Sequence, residues 1–180
     1  MLFQKEYSFR GSHADKVNRL TSQFDDNGSS KMFNRNIDVY LIAPLIGFLY
    51  GRTGTLDKSG GSTTTKIFPE QLFKEESILK YNYRLIILLD KKHEPDFEKR
   101  VNKAFRNYGD ESEQTLSDEL VYEQYVLGGV DVLYEKLIEG ATNPQDYITK
   151  LYDFMEEFNE RYNETVSDDK ILDLCALARS

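Results

Sequence analysis

The segment NIDVYLIAPLIGFLYGR, residues 36–52, decides how this chain folds, because no side chain between Asp38 and Arg52 is charged. Charged residues make up 30% of the whole sequence, so such a run stands apart from its surroundings. A helix needs about 20 apolar residues to cross a bilayer, and the uncharged run over 39–51 has 13. We therefore expect a buried core element rather than a membrane span.

Apolar side chains lie on every side of this segment when it is drawn as a helix, and such a helix is usually buried on every side. We expect it over 36–50, with Asn34 or Asn36 as its cap. Pro44 removes one backbone donor and predicts a kink. Gly47 predicts that a neighbouring element approaches closely. The segment is thus expected to be the central helix of the core.

Elsewhere the sequence predicts further helices and one short N-terminal strand, in which Phe3, Tyr7 and Phe9 alternate with polar neighbours. The run YRLIILL, residues 83–89, fits a helix or a buried strand, and we favour a helix. Residues 51–66 are rich in Gly, Ser and Thr, which predicts a long loop. The other expected helices are 13–24, 69–91 as one or two helices, 95–108, 115–140, 144–162 and a short one within 167–180.

Apolar residues at helical spacing are expected to face the core. In three of the helices they are Leu72, Leu79, Tyr83, Ile86 and Leu89; Phe97, Val101, Ala104, Phe105 and Tyr108; and Tyr147, Leu151, Phe154, Met155, Phe158 and Tyr162. The expected fold class is all-α (mainly α), a compact multi-helix domain around the kinked helix 36–50. One domain is expected over 1–180, with 139–180 either part of it or an appended C-terminal helical pair.

Gly128 and Gly129 stand in the middle of a predicted helix. Each glycine inside a helix costs about 1 kcal/mol relative to alanine. The pair therefore marks either a break in the helix or a place where another backbone comes close. We favour the close contact.

The acidic residues are concentrated in the second half of the chain. Residues 1–90 carry 12 basic and 10 acidic side chains, whereas residues 91–180 carry 11 and 21. An acidic surface repels phosphate backbones, so protein partners are favoured over nucleic acids. The single cysteine, Cys175, cannot form an internal disulfide, and the N-terminus does not have the pattern of a signal peptide. We expect a cytoplasmic protein.

Four features occur in a characteristic order: MFNRNIDVYLIAPLIGFLYGR (32–52), IF (67–68), YRLIILL (83–89) and YEQYVLGGVDVL (122–133). In this order and spacing the chain resembles the small Dnd system-associated proteins, which are encoded beside the genes for DNA phosphorothioation and its dependent restriction. The matching residues are Phe33, Asp38, Val39, Gly47, Gly51, Arg52, Glu123, Tyr125, Gly128 and Gly129.

The resemblance covers about residues 13–138. Pro44 and the long loop after Arg52 depart from the family pattern, and residues 140–180 have no counterpart in it. The resemblance implies a bacterial accessory protein of a DNA-modification or antiphage defence locus. It implies contacts with other proteins of that locus, and it implies no reaction and no cofactor. We expect no membrane contact, and an oligomer is compatible with the sequence.

Two groups of residues are candidates for binding. Tyr125, Gly128 and Gly129 could form a partner groove, because small residues let helices pack closely. The second group is a basic surface on the helix 96–107 and just before it, which could contact DNA phosphates indirectly or weakly. Its members are Lys92, Lys99, Arg100, Lys103 and Arg106. A DNA-binding or regulatory module is therefore the alternative to a protein-binding adaptor.

No catalytic or metal-binding constellation is predicted. His13 and His93 are the only histidines, and both fit a capping or solvent-facing role at the start of a helix. The segment RTGTLDKS resembles a phosphate-binding loop only superficially, since Asp57 stands where that loop has a glycine. A metal-dependent nuclease subunit built on scattered carboxylates is a third, weaker hypothesis. We expect a non-enzymatic protein.

Overall fold

The computed structural model describes residues 3–25, 30–57, 63–110 and 112–162. Helices dominate the described ranges, which confirms the mainly α fold class. Only two short strands accompany them there. In chain order the elements are β1 (Tyr7–Arg10), α1 (Ser12–Leu20), α2 (Asn36–Leu49), β2 (Thr64–Ile67), α3 (Pro69–Lys74), α4 (Glu76–Leu89), α5 (Phe97–Val101), α6 (Glu113–Leu137) and α7 (Pro144–Tyr162).

The second strand, β2, was not predicted, because its residues were assigned to the loop 51–66. It pairs antiparallel with β1, with Phe9 opposite Thr65. The backbone N–H of Gly11 extends the pairing by donating to Thr63 O at 2.8 Å. The segment TTKI alternates between exposed and buried side chains, as a strand with one face on the core does. The predicted strand β1 is confirmed.

Helices α2 and α6 form the centre of the fold and contact each other more extensively than any other two elements. They run antiparallel, with Ala43 beside Gly129 and Gly47 beside Tyr125. A Cβ atom added at Gly129 would lie 1.7 Å from Ala43 O, and one added at Gly47 would lie 2.1 Å from Tyr125 O. Only glycine fits at these two positions, because real atoms do not approach so closely.

The glycine pair in α6 marks a close contact and not a break, as predicted. Helix α6 is continuous from Glu113 to Leu137. A Cβ atom at Gly128 would lie 2.1 Å from Arg52 O, so the chain that leaves α2 also packs against the α6 backbone. The loop stays there because Gly54 N donates to Gln124 O at 2.8 Å.

Helix α2 is largely buried, as predicted, but not on every side. Ile42 and Leu49 are exposed. Its N-cap is Arg35, whose backbone N–H donates to the Asp38 carboxylate at 2.9 Å, so neither predicted asparagine caps it. Pro44 is buried inside the helix. The kink that we expect at Pro44 stays a prediction.

Helix α1 is attached to α6 through Asp131. Lys16 Nζ lies 2.7 Å from Asp131 Oδ1, and His13 Nε2 lies 3.3 Å from the same atom. Burial alone would raise the pKa of Asp131, but the interactions with His13 and Lys16 outweigh it and hold the pKa below its ordinary value. The ionised carboxylate is therefore preferred in the folded state.

Helix α7 lies on the surface, and none of its residues is buried. Tyr147 stacks on Phe24 with ring centroids 4.9 Å apart, and Lys136 Nζ contacts Glu157 at 2.6 Å. The hydroxyl of Tyr162 donates to Leu49 O at 2.9 Å. Some of the residues predicted to face the core are instead exposed, namely Leu151 and Met155. The short helix predicted within 167–180 lies outside the described residues.

We predict that Gly129→Ala destabilises the protein by about 3 kcal/mol, because the new methyl group would force α2 away from α6. Urea unfolding followed by circular dichroism measures the change in free energy of unfolding. Ser117→Ala, at an exposed position of the same helix, is the matched control and should change this free energy by less than about 0.5 kcal/mol. A Gly129→Ala variant as stable as the wild type would contradict the close contact.

The lowered pKa of Asp131 predicts a defined pH dependence of stability. A depressed carboxylate pKa adds stability above the pKa of the unfolded state, and this stability is lost as the pH falls through the folded-state pKa. Asp131→Asn should therefore cost about 1 kcal/mol at neutral pH and progressively less below about pH 4. The measurement is urea unfolding across pH, with Asp153→Asn, at an exposed position of α7, as the control. A cost that does not change with pH would contradict the prediction.

Candidate interaction surface

The structure divides the predicted basic surface into buried and exposed members. Arg100 is only 4% exposed. Its guanidinium donates to three backbone carbonyls, those of Leu88, Glu94 and Pro95, each at 2.8 Å. These bonds fasten α5 to the end of α4. Arg100 is thus not presented to a phosphate backbone.

Lys103 is also held inside the protein. Its Nζ lies 3.0 Å from Asp118 Oδ1 and 3.5 Å from Glu94 Oε2, and most of the side chain is shielded from water. Breaking such a pair to contact DNA would leave a poorly solvated carboxylate on α6. The remaining three predicted residues, Lys92, Lys99 and Arg106, are exposed and make no ion pair within the described ranges.

The residues predicted to bind a partner are buried. Gly128 and Gly129 face the backbone of α2 and of the loop after it, as described above. Tyr125 is buried in the same contact, and its hydroxyl donates to Asp90 Oδ2 at 3.1 Å. These three residues hold the core together, and a partner at the protein surface would not contact them.

Asp90 and His93 form a carboxylate–imidazole pair at the end of α4. His93 Nδ1 lies 2.5 Å from Asp90 Oδ2, and the backbone N–H groups of Lys92 and His93 donate to Asp90 Oδ1. The carboxylate therefore terminates α4 and orders the turn after it. The N-cap of α5 is Asp96, so His93 does not cap the helix that follows it. Among the described residues, no three His, Cys, Asp or Glu side chains converge in a way that could hold a metal ion.

The segment after α5 does not continue as an α-helix. Residues Asn102–Arg106 form a π-helical turn, in which Asn107 N donates to Asn102 O at 2.9 Å. This wider turn changes the direction in which the following side chains point. Phe105, predicted to face the core, is 53% exposed, whereas Ala104 is fully buried. Phe97, also predicted to face the core, is exposed.

Helix α4 is apolar on two faces. One face, with Leu79, Tyr83 and Ile86, is buried as predicted, and Leu89 is exposed against the prediction. The other face borders Phe105 across a groove with a volume of about 350 Å³. We call this surface the α4 groove; it is lined by Ser77, Tyr81, Arg84, Leu85, Leu88 and Phe105.

Arg84 supplies the charge of the α4 groove. Its guanidinium lies over the rings of Phe105 and Tyr108, 5.5 and 5.4 Å from their centroids. Its Nε is shielded from solvent and makes no hydrogen bond within the described ranges. Stacking on two rings fixes the plane of the guanidinium.

A second exposed apolar stripe lies on α7. It consists of Ile148, Leu151, Tyr152 and Met155, on the side of α7 away from α6. Acidic residues dominate its surroundings, among them Asp153 and Glu156. Tyr152 on this stripe is 64% exposed, and Tyr81 in the α4 groove is 65% exposed. The two tyrosines therefore form a matched pair for comparing the two surfaces.

No protein-family model, curated protein or solved structure matches the chain. Within the described ranges, every helix is too short or too polar to span a bilayer.

Proposed function

We propose that this protein is a non-enzymatic adaptor that binds another protein through the α4 groove. The observation that carries the proposal is the combination of an apolar groove with an aromatic-stacked arginine on a rigid helix. Large exposed apolar patches on soluble domains commonly mark interaction sites. Tyrosine, phenylalanine and arginine are the residue types enriched where protein interfaces are strongest.

The groove is suited to protein recognition because its residues are already held in place. The buried face of α4 fixes the helix, and Arg100 fixes the segment that carries Phe105 through its bonds to three carbonyls. Little conformational entropy is then lost when a partner binds. Tyr81 and Phe105 present large ring surfaces at the two sides of the groove.

We place this adaptor in a bacterial DNA-modification or antiphage defence locus. This part of the proposal rests on the resemblance to Dnd system-associated proteins and on the motif order that carries it. The partners would then be cytoplasmic proteins encoded by the same locus. The acidic second half of the chain agrees with protein partners, because it disfavours a general attraction to DNA.

The test is co-purification of the tagged protein with the products of the neighbouring genes. We predict that Tyr81→Asp/Phe105→Asp lowers the amount of partner retained by at least about tenfold, because two ring surfaces are lost from the interface. The matched control is Tyr152→Asp on α7, which should retain the partner. Both variants must keep the wild-type melting temperature.

Two results would contradict the proposal. One is retention of a neighbouring protein that is insensitive to the double variant. The other is failure of every neighbouring protein to co-purify with the wild-type chain.

The second candidate function is DNA binding through Lys92, Lys99 and Arg106. The observation in its favour is that these exposed cations make no ion pair within the described part of the chain. Three phosphate contacts predict a slope of about −3 in a plot of log affinity against log salt. Arg100 is buried and Lys103 is held in an ion pair with Asp118, so three of the five predicted cations remain for DNA.

If DNA binding is the function, Lys99→Glu/Arg106→Glu should abolish the salt-dependent retention of the protein on duplex DNA. Lys31→Glu/Lys74→Glu makes the same change in net charge at exposed sites outside α5 and the turn after it, and it should leave the retention largely intact. Equal losses in the two variants would show a general effect of net charge and would contradict a DNA site on α5. Electrophoretic mobility shift at several salt concentrations makes the comparison.

A further inference from the structure

The α4 groove has an excess of positive charge although the whole chain is acidic, with a formal net charge of −8. Arg84 is the one charged residue among those that line the groove, whereas Arg106 lines a separate pocket with Phe97 and Glu98. Neither residue makes an ion pair within the described ranges. Lys92 lies just beyond the end of α4 and is likewise exposed. A ligand that complements this surface must combine apolar side chains with carboxylates.

The chain itself contains a segment of this composition. Residues 163–180, NETVSDDKILDLCALARS, carry four acidic and two basic side chains. Ile171, Leu174, Cys175 and Ala178 recur at the spacing of one helical face. Asp168 and Asp169 precede this face, and Asp173 falls at helical spacing on the side opposite to it. The segment thus has the chemistry of an acidic amphipathic helix.

The position at which the described chain ends puts this segment within reach of the groove. Helices α2 and α4 run in the same direction, because Arg35 contacts Glu75 at 3.2 Å and Asn82 donates to Leu41 O at 2.8 Å. Their C-terminal ends are therefore neighbours. Tyr162, the last residue of α7, donates to Leu49 O at the C-terminal end of α2.

The length of the segment is sufficient. Its 18 residues span about 27 Å as a helix and about 60 Å when extended. Helix α4 has 14 residues and is about 21 Å long. A few residues can therefore serve as a connection while the remainder covers the groove.

The geometry points to residues 166–178 of the same chain as a ligand of the α4 groove. Their apolar face contacts Tyr81, Leu85 and Phe105, and the carboxylates that precede this face lie beside Arg84. This inference rests on the proposed function, since it assigns an occupant to the same groove. It also adds a consequence: the segment competes with the external partner and lowers its affinity until the partner displaces it.

The experiment uses the full chain with a photo-crosslinker near its end. The variant Cys175→Ala/Ser180→Cys carries one thiol, outside the apolar face, to which a benzophenone maleimide is attached. After irradiation at low protein concentration, mass spectrometry identifies the crosslinked peptides. We expect crosslinks within one molecule to residues 77–89 and 102–106.

Three variants of the labelled chain test the assignment. Tyr81→Asp/Phe105→Asp should lower the crosslinking to α4 by about tenfold, and so should Leu174→Asp in the segment, because each removes apolar contact area. Tyr152→Asp should leave it unchanged. Raising the salt from about 0.05 to about 0.5 M should also lower it, because the attraction between exposed charges is screened.

Several results would overturn the inference. They are crosslinks mainly to the stripe 148–155 on α7, crosslinks mainly between two copies of the chain, and a scattered pattern that the variants do not change.

In addition, Leu174→Asp should raise the amount of retained partner, because the segment then competes less for the groove. If the crosslinks are absent while Tyr81→Asp/Phe105→Asp still loses the partner, only the inference fails. If Tyr81→Asp/Phe105→Asp retains as much partner as the wild type, the proposed function fails, whether or not the segment binds the groove.

Discussion

The backbone contact between α2 and α6 is the constraint on which the rest of the structure depends. At Gly47 and Gly129 the facing helix backbone occupies the space that a side chain would need. Two helices at this distance leave no room for adjustment, since any added methyl group meets a carbonyl oxygen. The other elements are arranged around this pair, with α1 and α7 bound to α6 and α4 bound to α2.

Two basic side chains near the start of the segment after α4 stabilise the fold and are not free to bind a ligand. Arg100 satisfies three carbonyls at the junction of α4 and α5, and Lys103 neutralises Asp118. These interactions turn the polar side of the segment inward and leave Phe105 on the surface beside α4. The α4 groove therefore exists because two charged residues are used for structure where apolar residues would be expected.

Much of the fold could be predicted from the sequence, because its strongest signals are local. The uncharged run 39–51 predicted the central helix, and Gly128 and Gly129 predicted the close contact of α6 with another backbone. Strand β2 could not be predicted from its own residues, since TTKI follows a Gly- and Ser-rich run and becomes a strand only by pairing with β1. The expectation that α2 is buried on every side was wrong at Ile42 and Leu49 for a similar reason: burial depends on which neighbours are present.

The candidate site was harder to predict than the fold. A regular helical period over 95–108 places Phe105 inward, but the π-helical turn shifts the phase of that period, and nothing in the sequence marks where it begins. The run YRLIILL has apolar residues on both faces of α4, so periodicity alone does not separate the buried face from the groove. The partner residues predicted from the motif, Tyr125 and the two glycines, are explained by packing.

Hydrogen exchange of individual backbone amides tests most directly the claim that the α2–α6 contact organises the fold. If it does, the amides of Ala43, of Leu45–Gly47 and of Tyr125–Leu133 exchange only by global unfolding, with a free energy equal to that from urea denaturation. The amides of α4 beside the groove and of α7 should exchange through smaller openings. Exchange of the α2 and α6 amides at a lower free energy than those of α4 or α7 would contradict this account.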